Sequence, residues 1–458
     1  MHQQFGTHAS KAPGFTNNGR DDVDARLDVS YKDTARLRAG YQRFNNVKTG
    51  VGAALALDNT GFTNNDLFNV DLSLNNKLSE TISNKTTLYF LGQSPNSDIN
   101  LLPPGTYGGL LPFGAENRQS GFQGTTGLTT QFNYVIDQHT LTVGSGFIYD
   151  WIRSDKNQIN YLITPFFIQQ IPMTEVSAFG QDPMEAQKNR TNIYALMQDE
   201  WNFASDWYLT TGFRYDHYSD VEPGLSPRAA LVWNANVDLT TKLIYSRAFR
   251  PPSFFEKNYS YNNLTIKPET VNTIEFQIEK RWLSDLTTSA NFYWFKQESL
   301  ISSLPTTTII PVGFFNNSQI NGLGVETEIK YRINDQFNAS VNYSYHGLPS
   351  STGTGMMPEQ MVKGLFNYTF NENWSIGTQF NWIGDRKRPI NDPRADLPGY
   401  FTTGITVSTK IAKPLELVMR VNNLFDVTSK EPTASYMAMP GDESVLGRTI
   451  LGQIKVSY

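Results

Sequence analysis

From Asp22 onward the chain alternates apolar and polar positions with a period of two. Val23, Ala25, Leu27, Val29 and Tyr31 fall on one face, and Asp24, Arg26, Asp28 and Ser30 on the other. After a turn at Lys32–Asp33, Ala35, Leu37, Ala39 and Tyr41 alternate with Arg36, Arg38, Gly40 and Gln42. Period two is the signature of a strand, and charges at every second position need water or partners on that face. The small, apolar or aromatic face can meet lipid, as in a transmembrane β-barrel. The pattern recurs at Phe68–Leu74, Leu128–Ile136, Leu141–Trp151, Ile193–Phe203, Leu239–Phe249, Val271–Trp282, Leu323–Ile333 and Leu415–Phe425, and it runs into Thr449–Tyr458. In all the sequence predicts about 19 strands, each near the length a tilted strand needs to cross a bilayer.

The connections alternate in length. Short turns are predicted at Asn76–Ser83, Asp137–Gln138, Ala204–Asp206, Asn236–Asp238, Leu283–Leu286, Asn334–Gln336, Asn371–Asn373 and Ala412–Pro414. Between them lie long polar or aromatic segments at Pro95–Gln123, Arg153–Arg190, Arg250–Glu269, Glu298–Asn317, Leu348–Gln360, Asp385–Pro398 and Asp426–Gly447. Short periplasmic turns opposite long extracellular loops are the asymmetry of an outer-membrane barrel. The fold class is therefore all-β, a transmembrane antiparallel up-and-down β-barrel.

Composition sharpens this reading. Aromatic residues make up 13% of the chain although hydrophobic residues make up only 39%, and no apolar run is long enough to span a bilayer as a helix. There is no cysteine, which excludes a disulfide scaffold, thiol catalysis and cysteine-based metal sites. A net charge of −5 gives no electrostatic footprint for nucleic acid. Residues 1–20 have neither a basic segment nor an apolar one, so they are not a signal peptide.

Strand parity carries the argument further. If the last strand ends in the periplasm, counting back in pairs makes Val23–Tyr31 a descending strand without an ascending partner. Bacterial single-chain barrels normally have an even number of strands. Residues 1–20 are then expected to be the tail of an extracellular loop or a disordered segment, and residues 21–458 the barrel. An incomplete sheet leaves two unpaired edges, which are costly in lipid, so the chain alone is not expected to close into a monomeric barrel.

Four stretches resemble the C-terminal barrel of the TonB-dependent receptor family. They are LIYSRAFRPPSFFEKNY (Leu243–Tyr259), NLTIKPETVNTIEFQIEKRW (Asn263–Trp282), FFNNSQINGLGVETEIKYRI (Phe314–Ile333) and ELVMRVNNLFDVTSKEP (Glu416–Pro432). Their order and spacing make the match specific over roughly Asn202–Tyr458. The resemblance implies a barrel of 22 strands, with the plug domain and first strands absent from residues 1–458. It also implies energy-coupled uptake of a scarce ligand, most often a ferric siderophore, with the TonB complex as partner. The aromatic terminus Tyr458 is similar to the family's signal for the barrel-assembly machinery. A passive porin-like channel and a surface-display or adhesion barrel are the alternatives.

Candidate chemistry is confined to the loops. Phe254, Phe255, Tyr259 and Tyr261 share one long loop, Tyr107 and Phe113 another, and Tyr161, Phe166 and Phe167 a third. Such residues either recognise a small ligand such as a siderophore or pack among themselves and in the interfacial girdle. Arg386, Lys387 and Arg388 form a basic run at a strand end, where lipopolysaccharide phosphates or solvent are the expected partners. Glu275, Glu279, Glu326, Glu328 and Lys330 recur at alternate positions, and a polar lumen explains them better than catalytic carboxylate pairing does. Of the five histidines, His139 and His346 sit at strand ends, where interface positions are expected. None has metal-ligand spacing. No enzyme activity, metal or cofactor is expected.

Overall fold

The computed structural model describes residues 17, 19–51, 57–163, 168–179, 187–260, 265–303, 313–317, 319–347, 357–388, 392–432 and 442–456. Twenty strands form one antiparallel sheet. Nineteen of them follow one another as a meander: Asp21–Tyr31, Ala35–Val51, Leu57–Lys77, Ile82–Leu102, Ala115–Ile136, His139–Ile163, Lys188–Ala204, Trp207–Tyr218, Gly224–Asn236, Leu239–Arg250, Glu269–Leu283, Leu286–Glu298, Ile320–Arg332, Phe337–Gly347, Gln360–Thr369, Trp374–Ile383, Tyr400–Ala412, Leu415–Asn422 and Thr449–Val456. The twentieth, Ile168–Glu175, pairs among the described residues only with the outer end of His139–Ile163. Among the described residues, Asp21–Tyr31 pairs only with Ala35–Val51 and Thr449–Val456 only with Leu415–Asn422. These two strands are the edges of the sheet.

The register explains the alternation. Leu72, Leu88, Leu128, Phe147 and Ile193 stand opposite one another in a single row across five strands. They are 39–57% exposed, which in water would be a liability and in a bilayer is the lipid face. One residue over, Asp71, Tyr89 and Gly127 make the adjoining row on the opposite face. A Cβ on Gly127 would lie 2.4 Å from the Tyr89 ring, so the ring lies across the glycine. At the short-turn end, His139, Trp201, Phe203, Trp207 and Trp233 form a chain of ring contacts with centroids 5.1–6.1 Å apart. This is the aromatic belt of a membrane interface, and it places His139 where the sequence puts it.

Two predicted loops are largely strand. Ile82–Leu102, Ala115–Ile136 and His139–Ile163 run for 21, 22 and 25 residues, about twice the ~9–11 needed to cross a bilayer. The segments expected to be loops at Pro95–Gln123 and Arg153–Arg190 thus continue the sheet above the membrane. The alternation fades there because water meets both faces, while the backbone ladder continues with register shifts at Asn100–Leu102, Ser120–Gly121 and Ile159–Tyr161.

Among the described residues, the buried apolar cluster sits in this extension rather than in the wall. Leu102, Leu111, Ala115 and Tyr161 are 0–5% exposed and pack together, with Leu101, Tyr107, Ile159 and Ile168 against them.

Candidate functional site

The outer mouth is built from three rigid pieces. The first is the connection 103–114. Five of its residues, Gly105, Tyr107, Gly108, Gly109 and Gly114, have positive φ, a conformation that glycine adopts without strain. A Cβ on Gly114 would meet the Leu102 carbonyl at 2.4 Å. Gly105 N donates to Leu111 O at 2.8 Å and Leu111 N to Thr106 O at 3.2 Å. Gln170 accepts from Phe113 N at 3.1 Å and donates to Gly114 O at 3.3 Å. The result is a fixed tip with Leu111 fully buried beneath and Leu110 and Phe113, 56% and 75% exposed, on top. Tyr107 is half-buried against the core, and burial pushes its phenol above its ordinary pKa.

The second piece crosses four strand ends. Ser253 caps the short helix Phe254–Asn258, and Glu256 closes a capping box with it. Arg190 donates to both Asp220 carboxylate oxygens at 2.6 and 2.9 Å and to Pro252 O at 2.9 Å. Its guanidinium lies 5.0 Å from the Phe254 ring. Lys257 adds a 2.7 Å bond to Asp220. Burial alone raises the Asp220 carboxyl, but the hydrogen bonds from Arg190 and Lys257 outweigh it and hold its pKa below the ordinary value. Arg250 grips Glu256 and Glu269 together. Phe255 contacts Tyr259 at 4.9 Å and Phe314 edge-on at 5.5 Å.

The third piece contains the basic run. Arg386 is 1% exposed, donates to Pro398 O and Lys430 O, and lies 4.9 Å from the Tyr400 ring. Lys387 bonds Glu359 at 2.6 Å, and Arg388 holds Asp442 through two bonds of 2.9 and 2.6 Å. Arg386 and Arg388 are 1% and 4% exposed, so the expectation of solvent around this run is corrected for these two, while Lys387, 54% exposed, stands in solvent as expected. Carboxylates take Lys387 and Arg388 and two carbonyls take Nη2 of Arg386, whose buried Nε and Nη1 find no hydrogen-bond partner among the described residues.

Below the mouth, Lys242, Glu279, Asn291, Glu326 and Lys363 line a polar cavity of about 520 Å³ on the inner face. Glu328 pairs with Lys330 at 2.6 Å and Asn291 donates to Glu275 at 3.2 Å. His346 stands at the loop end of Phe337–Gly347, as the sequence puts it, and on the inner face. It is hydrogen-bonded to Tyr293, whose ring covers Gly324.

Of the ligand candidates, Phe254, Phe255 and Tyr259 come together on the second piece, their rings engaged with Arg190, Phe314 and one another. Tyr107 lies on the first, while Tyr161 is buried in the core. Phe166, Phe167, Tyr261 and Tyr458 lie outside the described residues. Sequence reasoning missed Arg190, Asp220 and Lys257, which no spacing rule connects. It also missed the helix, whose Ser253–Glu256 spacing is a helix-start signature. Among the described residues no group of His, Asp and Glu is placed to hold a metal.

Residues 3–424 match the family described as "TonB dependent receptor-like, beta-barrel". The ferrienterobactin receptor of Escherichia coli K12 is 22% identical over 276 residues, 52% of this chain and 37% of that receptor. The iron-regulated outer membrane virulence protein of Vibrio cholerae is 24% identical over 268 residues, 52% of this chain and 41% of that protein. The chain thus spans about two fifths of the curated relatives it matches. Among solved structures, a variant of the ferric enterobactin receptor of Pseudomonas aeruginosa superposes with a TM-score of 0.74 at 17% identity, covering 98% of this chain and 72% of its own. The siderophore receptor PirA of Acinetobacter baumannii gives 0.73 at 14% identity, covering 98% and 73%. The family and these relatives are receptors, not enzymes. With a meander of lipid-facing rows beneath a preorganised mouth, and a family match over nearly its whole length, the chain belongs to the TonB-dependent receptor-like β-barrel family of the bacterial outer membrane.

Proposed function

We propose that this chain forms the barrel of a receptor that takes up a ferric siderophore across the outer membrane, driven through the TonB complex. The observation that carries the reading is the mouth: an exposed apolar tip at Leu110 and Phe113 faces solvent on a loop whose shape is already fixed. A ligand met by a preformed surface loses less ordering entropy on binding. Tyr107, Phe254, Phe255 and Tyr259 are candidate contacts, presented by the packing described above. Residues 21–458 serve as the barrel domain, and the polar inner wall suits a plug that gates the lumen. Assembly by the barrel-assembly machinery belongs to the same proposal.

The test is uptake of radioactive iron from a ferric catecholate siderophore. The natural polypeptide is expressed in a strain lacking its own siderophore receptors, with and without a protonophore. Saturable uptake that the protonophore abolishes supports the proposal. Unsaturable entry of unrelated small solutes without energisation makes the chain a passive channel. Surface binding without entry makes it a display barrel.

A further inference from the structure

In the sheet extension above the membrane, two acids share one cation. Asp98 on Ile82–Leu102 stands opposite Arg118 on Ala115–Ile136, and Glu116, two residues from Arg118, lies on the same face. Arg118 Nε is 3.0 Å from Asp98 Oδ2 and donates to Glu116 Oε1 at 2.9 Å, while Nη2 donates to that same oxygen at 2.7 Å. Nε has a single hydrogen, so the two carboxylates crowd one donor. Asp98 and Glu116 are also within hydrogen-bond reach of each other. Two ionised carboxylates have no hydrogen to share, and a proton between them turns repulsion into a hydrogen bond. Burial first, then the hydrogen bond and charge of Glu116, push the Asp98 carboxyl up to about 6 against the pull of Arg118.

The surroundings fix the pair in place. Glu116 N donates to Asn160 Oδ1 at 2.7 Å, and Asn160 is 7% exposed. Asn100, opposite Glu116, donates to Asp58 at 2.8 Å. On one side this face also carries Asp58, Asp66 with Arg43, and Lys48 against the Phe62 ring. On the other it carries Lys156, Glu175 and the Arg153–Asp155 pair. The charges that act on Asp98 are those of Glu116 and Arg118. The register shifts between Asn100 and Leu102, so the two acids brace the ladder at an irregular rung. Immediately beyond it, Leu102 pairs with Ala115 and the connection 103–114 begins.

We propose that Asp98 and Glu116 form a proton-operated clamp at the base of the outer tip, closed when they share a proton and released when both are ionised. Closed, it ties the two strands together across the register shift. Released, two like charges repel beside one guanidinium and the rungs open more often. An acid whose pKa is raised on folding gives stability that is full below its unfolded value, about 4, and that is lost as pH rises through the folded value. The tip at Leu110 and Phe113 is thus firmer in acid medium than in neutral medium. This inference concerns the motion of the tip and stands whether or not the tip receives a siderophore.

The test is hydrogen exchange of the full chain, taken from outer membranes into detergent, at about pH 5 and 7.5 and corrected for the intrinsic pH dependence of exchange. Amides of residues 96–102 and 115–120 are expected to exchange about fivefold faster at the higher pH, the part of the shift that titrates between these values, discounted for solvent screening. In Asp98→Asn the amide donates to Glu116 in place of the shared proton, so protection should stay at its acid level at both pH values. Glu116→Gln should behave alike. Residues 251–260 serve as the internal reference, and heat-modifiable mobility on gels shows that each variant is folded. Equal protection of the wild type at both pH values overturns the clamp, as does a pH dependence that survives in both variants. Fast exchange of both variants at both pH values makes the pair a structural brace only, and also overturns it.

Discussion

The wall in the bilayer and the storey above it are the same sheet under two solvents. In the wall, Leu72, Leu88, Leu128, Phe147 and Ile193 are exposed, and the inner face is polar. What holds it is the backbone ladder, whose donors and acceptors have no alternative partner in lipid. Above it the same strands stand in water, which competes for every hydrogen bond. There the chain needs an interior, and it builds one from Leu102, Leu111, Ala115 and Tyr161. It also needs paired charges, supplied by Arg190 with Asp220 and Arg388 with Asp442. The difference teaches that fixed geometry comes from packing where water is present and from backbone pairing where it is not.

The comparison breaks most sharply at Arg190. Its side chain is 8% exposed, and Arg190→Ala leaves Asp220 buried beside Lys257 alone. A local loss of about 3–5 kcal/mol is expected, read as faster hydrogen exchange in residues 251–260 with no change in the barrel's heat-modifiable mobility. Leu111→Ala comes next, at about 3 kcal/mol, confined to the extension and visible as proteolytic cleavage within residues 103–114. Leu88→Lys places a charge in lipid and should cost about 2–4 kcal/mol. Its effect should appear in the opposite readout, unfolding of the whole wall in urea. If either of the first two lowers the urea midpoint of the wall instead, the two storeys are not separable.

A smaller effect comes with pH. The Asp220 carboxyl is depressed in the folded protein, and so is that of Glu256, where hydrogen bonds from Arg250 and Ser253 outweigh burial. A depressed carboxylate stabilises fully above its unfolded value, about 4, and that stability is lost as pH falls through the folded value. Protection of residues 251–260 should be flat between pH 8 and 5 and collapse below about 4. Asp220→Asn should weaken that dependence and leave the part carried by Glu256. The smallest effect is expected at Glu326→Gln on the wet inner face, within about 0.5 kcal/mol by the same urea measurement.

The sequence made the wall legible because lipid on one side and water on the other impose opposite demands on alternate residues, as at Val23–Tyr31. The extension was misread because water meets both faces at residues 95–102 and 115–123, and the alternation has no cause there. The mouth was half legible. Its aromatics were visible as composition, but the partners that fix Phe254 and Phe255 lie far along the chain, Arg190 more than sixty residues before and Phe314 nearly sixty after. The basic run was misjudged at Arg386 and Arg388, because a run of charges looks solvated until the groups that bury it, Tyr400 and Asp442 among them, are located in space.

Throughout the wall each strand pairs with its neighbours in sequence and with no others among the described residues. Contacts are therefore local, and the entropic cost of closing each new hairpin stays nearly constant along the chain. Such a wall is extensible in units. Adding or deleting a whole hairpin leaves every other pairing partner in place, so the wall can widen or narrow one hairpin at a time without redesign of the rest.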